Sequence, residues 1–153
     1  MNGTQLKLKL VYVSLALALA GCAGMGGGEG VHQLRLTGAE EVPPIDTSSS
    51  ASGELTVNPD RTVSGSFNVQ GANMIAAHIH EGAKGQNGPV IIPLQKKTDS
   101  EWVVPPGAKL TESQFEAYKA GRLYVNFHSP QHKGGEIRAQ IPPSGGGTAR
   151  TGY

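Results

Sequence analysis

Hydrophobic and polar positions alternate with a period of two through most of this chain, and such alternation marks half-buried β-strands. Over 31–37, Leu34 and Leu36 fall on one face, and Val31, Gln33 and Arg35 on the other. Segments 53–57 and 62–69 flank Asn58-Pro59-Asp60 and read as a hairpin, because proline presets φ and the aspartate caps the bend. In 74–80, Ile75, Ala77 and Ile79 form an apolar face, and a glycine loop (Gly82, Gly85, Gly88) leads to a further run at 89–94. Leu123, Val125 and Phe127 point one way in 123–128, as do Ile137, Ala139 and Ile141 in 136–141. One stretch breaks this rhythm. Thr111 with Gln114 makes a capping box, Phe115 and Tyr118 share a helical face, and Gly121 stops the turn. The pattern predicts an all-β fold, an antiparallel Greek-key β-sandwich or barrel, with one short helix near 111–120.

The ends differ from this middle. Lys7 and Lys9 precede an apolar run over 10–20, too short to span a bilayer comfortably. It ends in Leu19-Ala20-Gly21-Cys22, which resembles a bacterial lipobox, with small residues before the cysteine to be acylated. Residues 1–21 are expected to be a lipoprotein signal peptide, with Cys22 the lipidation site. Residues 22–30 are expected to form a glycine-rich tether, 31–143 the folded domain and 144–153 a disordered tail. Several acyl chains hold a membrane durably where one does not. The expectation is therefore a lipid-anchored protein of the cell envelope. Ala23 stands where an aspartate commonly retains lipoproteins at the inner membrane, so the outer membrane is favoured, facing the periplasm or the cell surface. Cys22 is the only cysteine, which excludes an intrachain disulfide and leaves no thiol ligand in the mature domain. Net charge is +1 without a basic run, so nucleic acid is not an expected partner.

The candidate chemistry lies in the histidines. His78 and His80 share the face opposite Ile79, about 7 Å apart along the strand. Tyr124, Asn126 and His128 share the face opposite Val125. If these strands are neighbours, His128 can supply a third nitrogen, since cross-strand Cβ atoms approach to about 5 Å. Three imidazoles without a thiolate suit copper, with zinc as the alternative. His132 is a possible fourth nitrogen, and Glu40, Glu41 and Glu81 are candidate carboxylates. Arg138 lies on the same side as Glu136 and could clamp that carboxylate or Glu41. Trp102 is expected to be a packing anchor, and His32 is assigned no role. The glycine loop opens a strand rather than a helix, so it is not a phosphate loop. No nucleophile elbow is present, and no catalytic residue is assigned.

The segments Leu36-Thr37-Gly38-Ala39-Glu40-Glu41-Val42-Pro43-Pro44, Ala77-His78-Ile79-His80-Glu81-Gly82, Gly88-Pro89-Val90, Gly121-Arg122-Leu123-Tyr124-Val125-Asn126-Phe127-His128 and Gly134-Gly135-Glu136-Ile137-Arg138 resemble, in order, the chordin-type (CHRD) domain in its bacterial form. The resemblance runs from about Leu34 to Ile141. It implies a secreted domain of a kind first noticed in an animal growth-factor antagonist, with no general enzymatic activity. The histidine spacing and the closing strand with Arg138 are also similar to copper/zinc superoxide dismutases, which are Greek-key sandwiches. That likeness implies copper ligands at His78, His80 and His128. The chain departs from the dismutases in lacking a bridging histidine after His80, a recognisable zinc site and the disulfide cysteines. Together these features lead to a lipid-anchored copper-binding protein with a mononuclear site, for copper handling or one-electron redox. Its expected partners are the membrane, a copper donor or acceptor protein, and a second copy in a homodimer. The alternatives are a non-catalytic cell-surface interaction module and a dismutase-like enzyme.

Overall fold

The computed structural model describes residues 30–145. The expected signal peptide, Cys22 and the expected tether up to residue 29 lie outside the described residues, as do residues 146–153 of the expected tail. Gly30, assigned above to the tether, is instead the first residue of a strand.

Among the described residues, nine antiparallel strands form one sheet: β1 (Gly30–Thr37), β2 (Ser50–Val57), β3 (Val63–Gln70), β4 (Ala76–Glu81), β5 (Val90–Pro93), β6 (Gln95–Lys96), β7 (Glu101–Val103), β8 (Leu123–His128) and β9 (Ile137–Ile141). Their order across the sheet is β5-β4-β8-β9-β1-β2-β3-β7-β6. β1, β2 and β3 form a meander, and β9 returns to lie beside β1 in Greek-key fashion. β5 and β6 stand at opposite ends of this order, yet only Leu94 separates them in sequence. The two edges therefore meet, and the sheet curls into a nearly closed barrel. Near-closure leaves little exposed edge for unwanted pairing.

Alternate side chains fill the interior. Phe127 on β8 meets Phe67 on β3 at 6.0 Å and Trp102 on β7 at 5.7 Å, both edge to face. Such pairs contribute about 0.5–1.5 kcal/mol beyond burial, and here they join strands from both halves of the barrel. Leu36, Leu55, Ile79, Val125, Ile137 and Ile141 complete the core around them. Trp102 is thus the packing anchor expected of it. Ile75 is not a core residue: it precedes β4 and is 52 % exposed, so the inward face of that strand begins at Ala77. β6 and β7, of two and three residues, had no counterpart among the expected strands.

The helix α1 (Glu112–Lys119) follows its sequence signals. Thr111 Oγ1 accepts from Gln114 N, and Gln114 Oε1 accepts from Thr111 N at 2.9 Å. Gly121 has φ 67 just past the helix end. Tyr118 and Ala117 are buried, and the Tyr118 hydroxyl lies 2.7 Å from His32 Nε2 on β1. His32 therefore ties the helix to the start of the barrel, a role its sequence position did not suggest.

The outer face of β4, β8 and β9 is not left to water. Asn126, His80, His128 and Arg138 are all buried, as are Glu41 and Glu136 beside them. Two segments, around 42–47 and 82–88, cover this face. Thr47 donates to Glu136 at 2.8 Å, Asn87 donates to the Val42 carbonyl at 2.8 Å, and Arg138 donates to the Gln86 carbonyl at 2.8 Å. The result is a second, polar core outside the barrel. Burying polar groups is costly unless they are bonded, and a buried cluster of titratable groups is a functional-site candidate.

Candidate metal centre

Register brings the three histidines together. β4 pairs with β8 so that Ala76 faces His128, His78 faces Asn126 and His80 faces Tyr124. Side chains opposite one another share a face, so His78 and His80 point to the same side as His128. One potential ligand atom from each of the three lies within 4.8 Å of the others. The His78–His128 pair is tightest, with Nδ1 and Nε2 3.0 Å apart. At metal–nitrogen lengths of about 2.0–2.1 Å, a separation of this size corresponds to a bond angle of about 90–100° at the ion.

The backbone prepares two of the rings. His80 Nδ1 lies 3.0 Å from the Gly88 carbonyl, and His128 Nδ1 lies 2.9 Å from the Lys133 carbonyl. A carbonyl only accepts, so each Nδ1 must carry the proton and each Nε2 must present a lone pair. His80 Nε2 is buried and has no hydrogen-bond partner. Burial lowers the pKa of all three rings, that of His78 to about 4, with the neighbouring His128 and His80 adding to the effect. In His80 and His128 the carbonyl bonds oppose burial without reversing it. All three rings are therefore neutral at pH 7, the form that binds metals. His78 is the most accessible of the three, and His80 and His128 are each 8 % exposed.

The remaining candidates stand apart from this group. His132 does not join it; its backbone N–H donates to Ser129 Oγ at 3.1 Å. Glu40, Glu41 and Glu81 do not join it either. Glu40 lies at the surface, 3.9 Å from Lys84. Glu41 is buried and accepts a short hydrogen bond from Asn126 Nδ2. Burial pushes its pKa up to about 7, against the opposing influence of the Val42 backbone, the Arg138 charge and Asn126. Arg138 clamps no carboxylate among the described residues. It donates to the Gln86 and Ala83 carbonyls and to Asn87 Oδ1, and its guanidinium carbon sits 3.5 Å from the centre of the Tyr124 ring.

Parity places Tyr124 on this face, and its contacts make it part of the site, which alternation alone does not reveal. Its ring stacks on His80 at 4.8 Å with 7° between the planes, and its hydroxyl accepts from Gly88 N at 3.1 Å. The Gly88 and Lys133 carbonyls were beyond sequence reasoning, since a carbonyl's direction depends on the loop's fold.

Searches of curated proteins and of solved structures returned no match to this chain. The sequence model of the CHRD domain matches residues 33–141, a span that holds all nine strands except the first three residues of β1. It takes in the three histidines, the glycine loop and Arg138, and the chain belongs to the CHRD domain family.

Proposed function

We propose that this domain binds a single copper ion through His78, His80 and His128, and that the protein handles copper outside the cytoplasm. The observation that carries this reading is the convergence of three neutral imidazoles, two of them held by backbone carbonyls in the tautomer that frees Nε2. Metal-binding histidines commonly donate their second ring N–H in this way. An all-nitrogen set without thiolate suits Cu(II), and such sites bind copper more tightly than zinc. No fourth ligand is assigned from the chain. Purified protein is expected to take up one equivalent of Cu(II) with the electron paramagnetic resonance signature of several nitrogen ligands. His78→Ala/His80→Ala should abolish both, and His132→Ala should leave both intact. If the double variant keeps wild-type stoichiometry and spectrum, the ligand assignment is wrong. If wild-type protein takes up no copper and its melting temperature ignores added copper and zinc, the copper reading fails and the non-catalytic interaction module is favoured, because a ligand of the native state must raise that temperature.

The location belongs to the same proposal and rests on the Leu19-Ala20-Gly21-Cys22 motif behind an apolar run. Acylation at Cys22 would tether the domain to an envelope membrane, the outer one being favoured, where a copper donor or acceptor protein could reach it. Cys22→Ser should abolish labelling by a radioactive fatty acid and release the protein from the membrane fraction. Unchanged labelling would refute the anchor.

A further inference from the structure

We infer that Arg138 is the positioning residue of this centre: it holds the loop between β4 and β5 so that the Gly88 carbonyl fixes the His80 ring with Nε2 toward the other two histidines. The inference rests on the copper-site reading above and names the device that presets one of its ligands.

Arg138 is 1 % exposed on β9, yet no carboxylate lies within ion-pair distance of it among the described residues. A buried guanidinium without a counter-ion is costly unless its donors and its flat face are otherwise occupied. Here both are. Nη2 donates to the Gln86 carbonyl at 2.8 Å and to the Ala83 carbonyl at 3.4 Å, and Nη1 donates to Asn87 Oδ1 at 3.2 Å. The flat face lies on the Tyr124 ring. Arg138 therefore grips the tip of the loop from beneath. Its neighbour on the same face of β9, Gln140, adds a bond to the Gly82 carbonyl at 3.0 Å.

The same loop ends at Gly88, where the two halves of the device meet. Gly88 N donates to the Tyr124 hydroxyl, and the Gly88 carbonyl faces His80 Nδ1. The Tyr124 ring touches Arg138 and also stacks flat on His80. Arg138 thus reaches His80 by two routes, through the loop backbone and through the stacked tyrosine. Neither route involves contact with the metal position, so the effect is on ring orientation and tautomer. A side chain placed at residue 88 would run into the Glu81 carbonyl, so only glycine admits this approach of loop to strand. Outer partners of this kind typically contribute 10–100-fold to metal affinity.

The test compares wild type with Arg138→Met, Arg138→Lys and Asn87→Ala. The His80 tautomer is read in metal-free protein by long-range proton–nitrogen NMR, and Cu(II) affinity by competition with a chelator of known strength. Wild type should show His80 protonated only at Nδ1. Arg138→Met should give mixed tautomers and about 10–100-fold weaker copper binding while amide signals of β1–β3 stay in place. Arg138→Lys, with one point charge for a fork of donors, should recover only part of the loss. Asn87→Ala should move in the same direction by less. Wild-type His80 protonated at Nε2 would overturn the inference without any variant, which covers an Arg138→Met protein that fails to fold. So would an Arg138→Met protein with a pure Nδ1–H tautomer and wild-type affinity. Wild type that takes up no copper would instead overturn the copper reading, leaving the tautomer measurement to judge the loop device separately.

Discussion

Gly135 shows how a single backbone position sustains the polar face. Its φ is 139, a conformation that residues with a Cβ rarely adopt, and an added Cβ would press on Asn126 Nδ2 and lie 2.6 Å from Glu41 Oε1. The buried Glu41–Asn126 pair therefore fits only because residue 135 has no side chain. Gly134, its neighbour, would meet nothing within 4 Å. Gly135→Ala should destabilise the domain by about 1–3 kcal/mol in urea unfolding, and Gly134→Ala by much less. Equal losses at the two positions would show that the Glu41–Asn126 contact imposes no such constraint. The doubled glycine is plain in the sequence just before the last strand, but nothing local says which of the two carries the requirement. That depends on Glu41, far away in the chain, lying against it.

At the scale of elements, legibility followed the range of the forces. The strands with clear alternation were readable because burial of one face is written into consecutive residues: 123–128 and 137–141 emerge as β8 and β9 with the expected residues inside. The helix was readable because the capping box at Thr111 and Gln114 is a local hydrogen-bond pair. β6 and β7 were not, since strands of two and three residues are too short to show a period. Parity also placed His78, His80 and His128 off the core correctly, and their meeting needed only that β4 and β8 be neighbours. What parity could not supply was the cover. Alternation says only that this face lies off the barrel core, yet Asn126, His128 and Arg138 are buried beneath segments whose bonds span 45 to 89 residues of sequence. Bonds of that range leave no periodic trace. The tautomers of His80 and His128 and the absence of a carboxylate on Arg138 both follow from that cover, which is why those parts of the site were illegible.

For the whole molecule, a polar core of neutral histidines makes stability depend on pH in a way that can be worked out before any metal is added. Burial lowers the pKa of His32, His78, His80 and His128 below the ordinary 6.5, with His78 at about 4. Below pH 6.5 the unfolded chain therefore binds more protons at these positions than the folded one. Stability at these sites is lost as pH falls from about 6.5 toward the folded values. Glu41 acts in the opposite sense. Its pKa rises from 4.5 to about 7, so the folded state holds an extra proton between those values, and stability falls as pH rises through that window. Four histidines oppose one carboxyl, so metal-free protein should melt at a lower temperature at pH 5 than at pH 7. Glu41→Gln isolates the smaller effect, because glutamine keeps an acceptor for Asn126 and never ionises. The melting temperature of Glu41→Gln minus that of wild type should grow more positive from pH 5 to pH 8, with most of the change complete by the point where Glu41 has ionised. A difference that stays constant across this range would mean that Glu41 is not held protonated by burial. The polar core would then contain an ionised carboxylate beside Asn126, within the field of Arg138, and the charge around the histidine cluster would have to be counted differently.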